Sequence, residues 1–207
     1  NNIFHCYNKN KDGIDVFLED YVYYALLLIS LYELNNDKKS LEKCKKIMEE
    51  VWSLFFNKDY NLLQKNICNS NDLFVNPIDI GDNNIPNGNS IYLLICSKLN
   101  NIANDKNWSK KLDILSKTFN TYISFNFSQM FSYLKVLDIC EENITVTLHG
   151  RINEKIKNEI LKKFMGNVSV IYKESEEEFF VVLCKNQTCS EKLKNIDQIN
   201  EYILKNL

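Results

Sequence analysis

The chain has 207 residues, 45% hydrophobic and 12% aromatic, enough to bury a core in one large domain or two small ones, which excludes a disordered chain. Its 25 Lys+Arg against 27 Asp+Glu leave a charge of -2, so there is no electrostatic case for nucleic acid or an acidic partner, and a neutral or small polar ligand fits better. No apolar run approaches the roughly 18 residues of a membrane span and no signal-peptide pattern opens the chain, so a soluble, cytoplasmic protein is expected.

Residues 1–14 read as irregular, and the start at Asn1 without Met suggests a piece of something longer. Asp15 is the expected N-cap of a helix to about Leu34. Phe17, Tyr21, Tyr24, Ala25, Leu28 and Leu31 fall on one face, and Val22, Leu26 and Ile29 make the other apolar too, the pattern of an inner helix. A second helix, about Ser40 to Phe56, is one-sided: Leu41, Cys44, Met48, Val51 and Phe55 form its stripe, and residues 42–50 carry a solvated Lys/Glu face.

Residues 57–90 are polar, with short extended pieces expected around Leu62-Leu63 and Leu73-Phe74-Val75; connections this long are often functional. Their end, Asp82 to Ser90, holds Pro86, which fixes φ, and Gly88, which permits close backbone approach, with Asn87 or Asn89 able to cap the next helix. Three more helices follow, at about Ser90–Ile102 (inner), Trp108–Phe125 (outer) and Ser128–Asp138 (inner). Inner and outer helices alternating along the chain are what a two-layered α/α toroid needs.

From Glu141 the period changes. Ile144–Leu148 and Val168–Tyr172 read as strands flanking an amphipathic helix at 153–165, a parallel βαβ unit; a third strand is expected at Glu178–Cys184, and a closing helix from Glu191 or Asp197. The expected fold is mainly α with a C-terminal α/β module: residues 1–140 as helical hairpins of a partial α/α toroid, residues 141–207 as the module. Seven scattered cysteines favour reduced thiols over a disulfide framework.

Three stretches stand out together: Phe17-Leu18-Glu19-Asp20-Tyr21, Pro86-Asn87-Gly88-Asn89-Ser90 and Cys184-Lys185-Asn186-Gln187-Thr188-Cys189. Their order and spacing resemble the C-terminal part of the thioredoxin-domain proteins related to spermatogenesis-associated protein 20, the bacterial YyaL-type proteins. The resemblance implies the end of a six-hairpin glycosidase-like toroid, with earlier hairpins and a thioredoxin-like domain upstream as partners. This chain departs from the pattern at Asn87, where the family has serine, and it has no Cys-x-x-Cys.

A toroid would bring the Glu19-Asp20 helix start to the loop 82–90 at its mouth. Paired carboxylates in a cleft can divide acid and nucleophile or base roles in glycosyl chemistry, so Glu19 and Asp20 are the catalytic candidates, and Tyr21, Asp82 and Asn89 are candidate binding groups for a hydroxylated, carbohydrate-type ligand. The plainer account is that acids in a first helical turn complement the helix dipole. The alternative function is a non-catalytic interaction module of a larger protein. The two histidines are His5, which the resemblance puts near the mouth, and His149, whose His149-Gly150-Arg151 run reads as a solvated turn more readily than as an anion site. Cys184 and Cys189, spaced wrongly for a thioredoxin centre and lacking partners for zinc, read as two thiols held close by packing, with a regulatory disulfide the other possibility. No cofactor or metal is implied.

Overall fold

The computed structural model describes Ile3, His5 and residues 16–67, 76–164, 166–186 and 188–207. The expected N-cap Asp15 and extended piece 73–75 lie outside them. Helix α1 (Leu18–Asn35) starts after Phe17, whose N–H donates to the Asp20 carboxylate (2.9 Å), half of a capping box, and ends at Asn36 in the left-handed region (φ 54°). Asp37 caps α2 (Lys38–Phe55), which folds back along α1 so that Tyr21 meets Phe55 edge-on and the Cys44 thiol reaches the Ala25 carbonyl.

A short hairpin of β1 (Phe56–Asn57) and β2 (Leu62–Leu63) leads to a segment lying across the starts of α1 and of α3 (Gly88–Ala103). Of the two asparagines able to cap α3, Asn87 does so, through Asn89 N and Ser90 N. Asp105 caps α4 (Lys106–Asn126); a single 3-10 turn, Phe127–Gln129, connects it to α5 (Phe131–Glu142).

Helix α3 is the central element, with eleven of its residues buried, from Gly88 to Leu99. It packs on α1, α4 and α5, and its Tyr92 hydroxyl donates to the Met48 carbonyl of α2 (3.1 Å), the helix that packs along α1. Glu49 of α2 joins Asn107 and Lys111 of α4 (2.6 and 2.5 Å), so the two one-sided helices also meet. Among the described residues the helices form an open arrangement and not a closed ring. Its open edges show in the inner helices: Leu27 and Leu34 of α1 are 54% and 48% exposed, and Phe131 of α5 is 65% exposed, because no described element covers those faces.

The C-terminal part is a mixed four-stranded sheet in the order β4-β3-β5-β6. Strands β3 (Ile144–His149) and β4 (Ser169–Lys173) are parallel and joined through α6 (Glu154–Phe164), as a βαβ unit requires. Strand β5 (Phe180–Lys185) runs antiparallel to β3 with Val146 opposite Leu183, and the edge strand β6 (Thr188–Cys189) was not legible as a strand. Asn195 caps the closing helix α7 (Ile196–Asn206). Val146, Leu148, Val170, Val181 and Leu183 form one core with Ile160 of α6 and Ile199 of α7.

This core meets the helical one across a buried polar seam. Lys98 of α3 places Nζ 2.8 and 2.9 Å from the two Glu33 oxygens and donates to the Val168 carbonyl, while Glu33 Oε1 accepts the Val170 N–H (3.3 Å). The Tyr172 hydroxyl donates to the Glu33 carbonyl (2.7 Å), and Lys157 Nζ to that of Leu34 (2.8 Å). The main chain at the start of β4, Val168 and Val170, is thus bonded to side chains of α3 and α1.

Candidate functional site

The starts of α1 and α3 converge because Gly88 lets them. A Cβ there would stand 3.0 Å from Leu18 Cδ2 and 3.1 Å from Glu19 Oε1. Beside this contact opens a cleft of about 370 Å³, lined by His5, Phe17, Glu19, Asp20, Lys65 and Asp79 together with Gly81 and residues 83–87. Both catalytic candidates, Glu19 and Asp20, are in its wall.

Their surroundings differ. Burial pushes the Glu19 carboxyl above its ordinary range, Asp79 and Asp20 add to the rise, and Lys65 opposes it. Glu19 Oε2 is shut off from solvent and has no hydrogen-bond partner. The environment therefore favours the protonated acid. Asp20 instead accepts the Phe17 N–H and lies 3.0 Å, through each oxygen, from His5 Nδ1, whose ring stands edge-on to Phe17. An Nδ1–H donated to a carboxylate leaves Nε2 as the acceptor nitrogen of the imidazole. Asp20 orients His5 and also fixes the helix start.

The three binding candidates sit elsewhere. Tyr21, expected at the mouth, packs on Phe55 and donates to Glu50 (3.1 Å); burial first, then Glu50, pushes its hydroxyl up to about 12. Asp82 accepts from Asn87 N (2.8 Å) and Ser132 N (2.7 Å), so it caps α5, whose own N-cap Met130 offers no side-chain hydrogen bond. Asn89 is 1% exposed and bonds both the N–H and the C=O of Leu63, standing in for a strand neighbour of β2. None of the three lines the cleft; Asp82 and Asn89 brace the segments beside it, and Tyr21 ties α1 to α2.

Other residues complete the site. Asn87, besides capping α3, donates to the carbonyls of Asp79 (2.7 Å) and Gly81 (3.2 Å), which a serine hydroxyl could not do in the same way. Tyr23, one turn after Glu19, donates to the Pro86 carbonyl (3.1 Å) and pins the loop to α1. Lys65 pairs loosely with Asp79 (3.5 Å) and lies over the Phe17 ring. Only a resemblance pointed to His5, and nothing local pointed to Lys65 or Asp79, because their place depends on the 62–67 and 76–87 segments crossing the helix starts.

The other singled-out features resolve differently. At His149-Gly150-Arg151 the Gly150 and Arg151 N–H groups donate to the carbonyls of Lys173 and Glu177 (both 3.1 Å), and the guanidinium pairs with Glu176, so these donors are already engaged. The 184/189 pair is a correction: read as two thiols held by packing, it is a disulfide. Its six-residue span places the two cysteines directly opposite across β5 and β6 with Cα atoms 4.0 Å apart, a hairpin relation that spacing alone did not disclose. Among the described residues no group of three or more His, Cys, Asp or Glu is arranged to hold a metal ion, and no helix is long and apolar enough to cross a membrane.

No protein-family model matches this chain, and no curated protein matches it either.

Proposed function

We propose that the cleft between the starts of α1 and α3 binds a hydroxylated small molecule of the carbohydrate class, and that Glu19 serves there as proton donor with the His5–Asp20 pair as the accepting side. The observation that carries this reading is the contrast inside one cleft between Glu19, desolvated and without a partner at Oε2, and Asp20, fully engaged with His5 and the Phe17 N–H. An acid whose burial favours its protonated form, beside an imidazole held on a carboxylate, is the kind of pairing that acid–base chemistry at a glycosidic or hemiacetal centre uses. In the same reading the helices are part of an α/α toroid, in a protein resembling the C-terminal part of the thioredoxin-domain family named above. The test is a panel of neutral mono- and disaccharides in thermal unfolding. A ligand at a hundredfold over its Kd stabilises by about 2.7 kcal/mol, a readable rise in Tm. Glu19→Gln and Asp20→Asn are each expected to remove the shift; a panel with no response rejects the reading.

A second reading, an interaction module that docks on further helical hairpins and a thioredoxin-like domain, is favoured by the aromatic corner where α4 passes into α5. There Phe125 is 87%, Phe127 61% and Phe131 65% exposed. It predicts concentration-dependent self-association and dye binding by the isolated chain, both reduced in a Phe127→Ser/Phe131→Ser variant. A monomer that binds no dye rejects it.

A further inference from the structure

The helical cleft does not involve the C-terminal hairpin, which carries chemistry of its own. We propose that the Cys184–Cys189 disulfide is a thiol–disulfide exchange site for a dithiol, with Cys189 Sγ as the sulfur attacked.

Access separates the two sulfurs. Cys189 is exposed on the two-residue edge strand β6 and lines an open groove of about 460 Å³ toward α7, shared with Lys192, Tyr202 and Lys205, whereas Cys184 is half-buried within β5. A thiolate entering by the groove reaches Cys189, and Cys184 is the leaving sulfur. The three free cysteines among the described residues do not compete. Cys44 and Cys96 are 0% exposed, and burial pushes Cys44 up to about 12 and Cys96 higher still; burial raises the Cys140 thiol as well.

The hairpin can open without unfolding the sheet. Beyond the disulfide, Ser190 N donates to Leu183 O (2.8 Å), and Val181 and Leu193 exchange a reciprocal pair of backbone bonds (2.8 and 2.9 Å), while β5 keeps its full register with β3. The bridge spans a separation of five residues, and cross-links around short loops restrict the unfolded chain least, so stability is a weak reason for its presence.

In the exchange, one thiolate of the dithiol bonds to Cys189 Sγ. The S–S electron pair leaves on Cys184, which takes up a proton. The second dithiol sulfur then attacks the first and expels Cys189, also to be protonated. The protein disulfide gains two electrons and two protons; the dithiol loses them and becomes a disulfide.

The test uses the full chain in native buffer with dithiothreitol as probe, followed by alkylation and peptide mass spectrometry. Cys184 and Cys189 are expected to be alkylated together without denaturant, with far-UV circular dichroism unchanged, while Cys44 and Cys96 react only in denaturant. A bridge that opens only in denaturant overturns the proposal, as does loss of structure on reduction, or a pair of thiols that oxidised glutathione cannot join. For the direction of attack, the lone Cys189 of a Cys184→Ser variant should form a mixed disulfide with oxidised glutathione about tenfold faster than the lone Cys184 of Cys189→Ser. Equal or reversed rates overturn the assignment of Cys189.

Discussion

Glu19 is the residue on which the site turns, and its burial has a consequence for stability. An acid whose pKa is raised on folding binds its proton more tightly in the folded chain than in the unfolded one. Between the ordinary carboxylate value and the raised one, stability therefore falls as pH rises, and above that window the full penalty remains. Glu19→Gln removes the charge and keeps the shape. The expected outcome is a higher Tm than the parent at pH 7, with the two curves converging toward pH 4, followed by thermal unfolding across that range. A residue placed for stability alone would lose stability on this change. Glu19 and Asp20 were visible in the sequence as acids at a helix start, but the contrast in their surroundings was not. It depends on His5, Lys65, Asp79 and Gly88, which lie from fourteen residues before Glu19 to sixty-nine after it.

At the scale of elements, the loop 79–87 is a set of cross-braces between helices. Asp82 caps α5 from a distance of fifty residues in sequence, and Asn87 caps α3 while tying down the carbonyls of Asp79 and Gly81. Asp82→Ala is expected to cost about 0.5–2 kcal/mol in urea unfolding, the range for losing a helix cap. Asn87→Ser keeps a capping oxygen but gives up both carbonyl partners, an expected loss of about 1 kcal/mol, together with faster amide exchange in residues 79–87. The helices themselves were legible because their apolar period repeats within a few residues, and Asn87 was one of two asparagines expected to cap α3; that Asp37 and Asp105 cap α2 and α4 came only with the structure. Strand β6 was not, since two residues carry no period, and its strand character comes only from β5 beside it.

At the scale of the whole molecule, the seam between the helical part and the sheet rests on Lys98 and Glu33. Their side chains are 4% and 9% exposed, and burial raises the Glu33 carboxyl against the pull of Lys98. Removing one partner strands the other: Lys98→Ala is expected to destabilise by about 3–5 kcal/mol. Lys98→Met with Glu33→Gln keeps an acceptor for the Val170 N–H and leaves no unpaired charge, so urea unfolding should show it recovering more than half of that loss. A double variant no more stable than the single one would mean that the Val168 carbonyl, and not the charge pair, governs the seam.

The sequence by itself determined the mainly helical body, the change of period near residue 141 and the parallel βαβ unit, because each follows from side-chain patterns repeating over a turn or a pleat. Tertiary structure decided which polar groups face the cleft. It turned Tyr21, Asp82 and Asn89 inward as braces, brought His5 onto Asp20, and set Cys184 opposite Cys189. The physical reason is one of range: a side chain's partners across the fold are fixed by how the chain returns on itself, and local patterns do not encode that return.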